Sequence, residues 1–260
     1  MAAATLIYED EEIQKDVLAE LKWGAQVQGA MMKKLILPVA LLAFAGPLWA
    51  SAANTKVEER LQDAGEVLQE VMNAPDKGIP LEIVEHAKCI AVIPHQIKAG
   101  FVVAAKFGKG VATCRTERGW SAPAFFTITG GGWGAQIGIA SIDNVLMIMN
   151  QRGMDQLLSA KFQIGADASA AAGPVGRHAA AGTDWTMETE ILSYARARGI
   201  FAGVSLDGAV VHPDQEATKI VYGRLLSHRE ILTGKVQPPE TVSSFLAAVR
   251  EVEEKAKKES

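Results

Sequence analysis

The stretch closest to a catalytic pattern is Gly203-Val204-Ser205-Leu206-Asp207-Gly208. A nucleophile elbow needs Gly-x-Ser-x-Gly on a tight strand-to-helix turn that lifts the serine oxygen clear of the backbone. Here the closing glycine comes one position late, and no helix follows the strand. A metal reading takes Asp207, His212 and Asp214, an imidazole and two carboxylates within eight residues. Pro213-Asp214 instead looks like a helix opening, where the dipole favours the carboxylate. Gly130-Gly131-Gly132-Trp133-Gly134 lacks the Gly-Lys-Ser/Thr of a phosphate loop and leads into a strand. Its glycines are expected to serve a bulge or close strand packing. His86, His95, His178 and His228 are scattered, without ligand spacing. These residues point to no enzyme, no metal and no cofactor.

Positive charge is concentrated between Glu85 and Arg118. Lys88, Lys98, Lys106, Lys109, Arg115 and Arg118 stand there against Glu85 and Glu117, a local excess of four. Lys106 and Lys109 flank a predicted glycine turn at Gly108-Lys109-Gly110, and Arg115 and Arg118 lie near the same hairpin. Lys98, Lys106, Lys109, Arg115 and Arg118 are therefore the candidate lipid-binding set. Each such charge near an anionic surface contributes on the order of 1 kcal/mol. The same side chains also suit solvated strand edges, where lysine deters aggregation. Arg196 and Arg198 alternate along a strand and share a face. Carboxylates such as Glu188 and Glu190 are their expected partners.

The elements that must position these residues read as helix, a long run of strands, then helix. Val57, Leu61, Ala64, Val67, Leu68 and Val71 form one stripe of an amphipathic helix from Asn54 to Met72, capped by Asn54 or Thr55. Pro80 opens a short second helix through Ala87. Short apolar or β-branched runs follow at Cys89–Ile93, Phe101–Phe107, Val111–Glu117, Phe125–Thr129, Ala135–Ala140 and Val145–Met149, separated by Pro94 and by glycines. A helix is expected near Met154–Ser159, strands over Trp185–Ala195 and Ile200–Leu206, and helices over Pro213–Gly223 and Pro239–Lys257. The connections are too short for crossover helices. The fold class is therefore α+β, a mainly antiparallel sheet or barrel flanked by N-terminal and C-terminal helices.

The chain has 260 residues, with 26 bases, 30 acids and a net charge of −4. That balance argues against a nucleic-acid partner held by bulk charge. Met31-Met32-Lys33-Lys34, an apolar run to Ala45 and the small-residue exit at Ala50-Ser51-Ala52 read as a Sec signal peptide over residues 31–52. The product is expected in the periplasm or secreted. The alternative is an inner-membrane anchor, because the 21 residues between Lys34 and Lys56 carry no charge. Residues 1–30 are then an extension, a misassigned start or a remnant; Asp10–Trp23 resembles the first helix of a BON domain. Without residues 1–52, which hold four of the 26 bases and six of the 30 acids, the chain carries −2. Residues 53–260 suffice for one domain.

Ser193-Tyr194-Ala195-Arg196-Ala197-Arg198-Gly199-Ile200-Phe201-Ala202-Gly203-Val204-Ser205-Leu206-Asp207-Gly208 resembles the signature of the SYLF family. So does Gly165-Ala166-Asp167-Ala168-Ser169-Ala170-Ala171-Ala172-Gly173-Pro174-Val175-Gly176-Arg177, and Lys98–Val103 with Gly108-Lys109-Gly110 fits its earlier strands. The resemblance runs from about Asn54 to about Val252 and implies a single non-catalytic SYLF domain. Eukaryotic relatives bind phosphoinositides, and yeast-type relatives also bind and bundle actin; an exported protein would not meet actin in its own cell. The expected function is a lipid- or membrane-surface-binding module of the bacterial envelope, with an anionic lipid or membrane as partner. The alternative is a protein-interaction or scaffold domain whose partner the sequence does not name. The first helix departs from a membrane-gripping pattern, since Glu58, Glu59, Asp63, Glu66 and Glu70 outnumber Arg60 on its polar side. It is expected to pack on the domain.

Cys89 and Cys114 remain. The resemblance suggests a cysteine at both places in exported members, and export permits a disulfide. A simple meander of Cys89–Ile93, Phe101–Phe107 and Val111–Glu117 argues the other way. It sets the two cysteines two strand spacings apart, about 9–10 Å, beyond the roughly 7 Å a disulfide spans.

Overall fold

The computed structural model describes residues 46–74, 78–100, 103–133, 138–174, 189–197, 200–203 and 206–259. The BON-like segment and the signal pattern up to residue 45 lie outside them. Residues Ala53–Ser260 pack as one compact unit.

Helix α1 spans Gly46–Asn73 and runs straight through the expected caps Asn54 and Thr55. Nothing stops it there, because Ala50-Ser51-Ala52-Ala53 favours helix. Its stripe of Val57, Leu61, Ala64, Val67 and Leu68 is buried, each Val or Leu contributing roughly 1.5–3 kcal/mol. Helix α2 is Leu81–His86, entered from Pro80 as expected.

Ten strands follow among the described residues: β1 Cys89–Gly100, β2 Val103–Thr116, β3 Gly119–Trp120, β4 Ala124–Trp133, β5 Gly138–Ile148, β6 Phe162–Gln163, β7 Ala170–Ala172, β8 Ile191–Ala197, β9 Ile200–Gly203 and β10 Val210–Pro213. Helices α3 Gln151–Leu157, α4 Gln215–Tyr222, α5 His228–Leu232 and α6 Ser243–Glu259 complete the order, with one 3-10 turn at Glu240–Val242. The sheet runs β6-β10-β4-β2-β1-β5-β8-β7, with β3 paired to β2 and β9 to β8. It is an open, curled, mainly antiparallel sheet with helices before and after it. β7 pairs in parallel with β8.

Both faces of the sheet are covered. Val92, Val111, Phe125, Val145, Met147 and Tyr194 pack with α1, α2, α4 and α6. Ala91, Ile93, Ala112, Phe126, Ile128, Leu146 and Ile148 pack with α3 and α5 on the other side. Residues Cys89–Ile93 are consequently all fully buried. This explains unbroken apolar runs where a one-sided antiparallel strand would alternate.

Two expected breaks are absent. Gly108 and Gly110 do not turn the chain; β2 passes through both with regular pairing to β4. Neither has a positive φ. A Cβ on Gly108 would stand 2.6 Å from Ile93 Cγ2, and one on Gly110 2.4 Å from the buried Phe126 ring. These glycines answer side chains of neighbouring strands. Gly130-Gly131-Gly132 likewise lies inside β4, without a bulge. Gly130 packs close, its Cβ direction meeting Ala209 Cα at 3.3 Å.

Pro94 does not end a strand either. The pairing of β1 slips between Val92 and Ile97 against β2, and between Ile93 and Gln96 against β5. One extra residue sits in β1, a β-bulge. His95 takes φ 51 there, and its N–H donates to Asp143 Oδ1 at 2.9 Å.

The simple meander fails because Val103–Phe107 and Val111–Thr116 belong to one strand, β2. Cys89 therefore faces Cys114 directly across β1 and β2, Cα to Cα 4.0 Å, and a disulfide joins them. Arg115 N donates to Lys88 O, so the neighbouring cysteine pair occupies a non-hydrogen-bonded position, where side chains approach most closely.

Candidate functional site

The bulge in β1 decides which side chains share a face. An extra residue reverses the alternation beyond it, so Ile97 stands beside Phe107 and Lys98 beside Lys106. Ile97 and Phe107 lie on the α1 face, and both are about half exposed, 49% and 48%. Lys98 and Lys106 lie on the opposite face, one directly across from the other.

This end of the sheet stands out from its neighbours. β10 pairs with β4 only up to Thr129, and β8 with β5 only from Asp143. Among the described residues, only β4, β2, β1 and β5 pair beyond those positions, in that order. The row across this flap at the lysines reads Gly130, Lys106, Lys98, Ala140. The row holds no carboxylate. Like charges directly opposite one another on a sheet repel. Burial and the charge on Lys98 hold the Lys106 ammonium below its usual pKa, with Asp207 pulling the other way.

The other candidate cations have different roles. Lys109 faces α1 and lies 3.3 Å from Asp214, beside the buried Arg60–Asp214 pair at 3.0 Å. Arg60 is thus an interior residue, stacked 5.7 Å from the Phe125 ring. Asp214 caps α4 by accepting from Ala217 N, the helix-opening role expected of it. Burial works against the ionised Asp214. The Ala217 N–H, Arg60 and Lys109 outweigh it and hold the carboxyl low.

Arg115 is structural. Its guanidinium donates to Ala87 O at 2.8 Å and Val84 O at 3.1 Å, pairs with Glu253 of α6, and lies 4.5 Å from the Trp120 ring. Trp120 Nε1 donates to the same Glu253 at 2.7 Å. Arg118 donates to Gly234 O at 2.5 Å. Six residues of extended strand, roughly 20 Å, separate Lys109 from Arg115. The five cations therefore form no single cluster: Lys98 and Lys106 meet, Lys109 lies on the other face, and Arg115 and Arg118 tie down the far end of β2.

Arg196 pairs with Asp143 at 2.7 Å and with Glu70 of α1, neither of which was anticipated. Glu190 instead meets Arg152 at 3.5 Å and the Ser169 backbone. Glu188 and Arg198 lie outside the described residues.

Between α1 and the β1–β2 end of the sheet runs a groove of about 240 Å³, its apolar edge formed by Ile97 and Phe107. Sequence reasoning missed it, because it needs the bulge at Pro94-His95 and the packing of α1.

Residues 129–252 match the family model described as Ysc84, Las17-binding protein actin regulator. Over these residues the chain is similar to the Ysc84 family. It is 33% identical over 171 residues to LAS seventeen-binding protein 3 of Saccharomyces cerevisiae, covering 64% of this chain and 37% of that protein. It is 34% identical over 169 residues to SH3 domain-containing YSC84-like protein 1 of Mus musculus, covering 64% and 49% respectively. The chain thus spans about half or less of the curated relatives it matches. The yeast relative is named for a protein it binds. The match to the Ysc84 model begins within β4, so β1 and β2 of the flap precede it.

Proposed function

We propose that this chain is an exported, non-catalytic module that binds the surface of an anionic membrane through the flap end of β1 and β2. The observation that carries the reading is the Lys98–Lys106 row without a carboxylate, backed by half-exposed Ile97 and Phe107. Basic and apolar side chains together at a projecting end suit the boundary between headgroups and acyl chains. The buried apolar stripe of α1 is committed to the core, which leaves the flap rather than that helix as the docking element. The Met31–Ala52 pattern supports export, to the periplasm or beyond, and an uncleaved inner-membrane anchor keeps the domain at the same surface.

A protein partner is the second reading, favoured by the names of the yeast relatives. Sedimentation with phosphatidylcholine vesicles containing phosphatidylglycerol separates the two. Binding that weakens as salt is raised, and that falls at least tenfold in Phe107→Ser with Lys98→Gln, supports the membrane reading. No sedimentation at low salt overturns it in favour of a protein partner.

A further inference from the structure

The groove beside the flap carries both signs of charge in a fixed order. At one end Asp214 is matched by two cations, the buried Arg60 guanidinium and Lys109, whose side chain is 42% exposed. At the other end Asp63 lies 3.5 Å from His95, which is itself 3.6 Å from Asp143. Glu59 and Glu66 stand on the same helix. Burial raises the Asp63 carboxyl above its usual range; His95 counters this, while Glu66, Glu59 and Asp143 add to the rise. Lys56, one turn before Glu59 and Arg60 on α1, also lines the groove, and Asp143 is held by Arg196, so cations and carboxylates in the groove are close to balance. Arg60 and Asp63 are three residues apart, about 5 Å along the helix. Along the open edge run Ile97 and Phe107.

We infer that this groove binds a phosphoethanolamine group, with the phosphate toward Lys109 and the primary ammonium toward Asp63. The inference rests on the membrane-surface reading and deepens it, since the apolar edge would let the acyl part of such a lipid leave toward the bilayer. A groove with both signs of charge close to balance selects a zwitterion over a simple anion, which Asp63 would repel. Carboxylates accept hydrogen bonds from a primary ammonium, and a quaternary one has no proton to donate. Phe107 is the one aromatic side chain in the lining, too few for the cage that holds quaternary ammonium.

The test has two arms on the purified chain. In the first, phosphatidylethanolamine replaces part of the phosphatidylcholine in vesicles of constant phosphatidylglycerol content. We expect binding to tighten about fivefold, and Asp63→Asn to remove that gain without weakening binding to phosphatidylcholine–phosphatidylglycerol vesicles. In the second arm, glycerophosphoethanolamine is titrated into labelled protein and observed by NMR. Saturable shifts at Asp63, Ile97 and Phe107, absent with glycerol phosphate, support the site. Shifts in the second arm without a gain in the first assign the groove to a free phosphoethanolamine compound. Vesicle binding indifferent to phosphatidylethanolamine, with no shifts, overturns the inference and leaves the membrane reading standing. Failure to bind any vesicle, with no shifts, overturns both.

Discussion

At the residue scale, the density of partners around Glu253 shows how an exposed-looking helix residue becomes a fastener. Its two oxygens take Arg115, Trp120 Nε1 and Lys257, the last at 2.8 Å. Burial alone would raise its pKa. Hydrogen bonds from Lys257, Arg115 and Trp120 outweigh burial and bring the carboxyl down to about 2, against an ordinary 4.5. On acidification the unfolded chain takes up this proton first. The stability Glu253 contributes is therefore whole above about pH 4.5 and lost as pH falls toward 2. Glu253→Gln should lose about 1–3 kcal/mol at pH 7 and fall less steeply than the parent below pH 4.5. Denaturant titrations at pH 7, 4 and 3 check this, and parallel losses in the two proteins would sink it. His228 is fixed in a comparable way. Both ring nitrogens meet backbone carbonyls, of Leu157 at 3.1 Å and Phe125 at 3.0 Å, at the buried start of α5.

At the scale of elements, β1 and β2 carry the fold's main joint. They pair over their length, interrupted by the bulge at Pro94-His95, and Cys89 and Cys114 face one another at their inner end. Both cysteines are fully buried. The bond encloses a segment with a sequence separation of 25. A loop of that size restrains the unfolded chain by about 3 kcal/mol. Protein purified under oxidising conditions should therefore titrate with no free thiols when unfolded without reductant. Its denaturant midpoint should also fall on reduction by the equivalent of about 3 kcal/mol. Two free thiols per chain would show that the strands pair without the bond. The bulge has its own consequence at this scale: in a straight β1, Lys98 would exchange faces with Ile97, and both the lysine pair and the apolar edge would be lost.

For the whole molecule, charge is distributed rather than abundant. Without residues 1–52 the net charge is only −2, so the proposed attraction to an anionic surface rests on where the cations lie. Arg115 and Arg118 hold α2, α6 and the loop at Gly234 in place. Lys98 and Lys106 are absent from every described ion pair. Two double variants should therefore behave differently. Lys98→Gln with Lys106→Gln is expected to keep the melting temperature, or raise it by relieving repulsion, and to weaken binding to anionic vesicles about tenfold at low salt. Arg115→Gln with Arg118→Gln is expected to lower the melting temperature by several degrees and to change vesicle affinity little once folded. Thermal unfolding and sedimentation, done side by side, check both. The reverse pattern would remove the flap from consideration.

The sequence by itself determined the elements whose signals are local. The stripe of α1, the entry of α2 at Pro80, the Asp214 and Gly223 ends of α4 and the helical C-terminus all rest on residues within a few turns of one another. The α+β class followed from the same local signals. Three features were decided only by the tertiary structure: the passage of β2 through Gly108 and Gly110, the bulge that lets β1 continue past Pro94, and the separation of the five cations. A glycine relieves either a positive φ or a close contact, and here the contact is with Ile93 and Phe126 on other strands. A lysine or arginine reads alike in sequence whether it is solvated or tied to a distant carbonyl. Arg115 is fixed by Val84, Ala87 and Glu253, the last 138 positions away. Short, glycine-rich, nearly uniform apolar runs carry no mark of which face they will line. That is settled when both faces of the sheet find helices to cover them, through contacts that no local window of sequence contains.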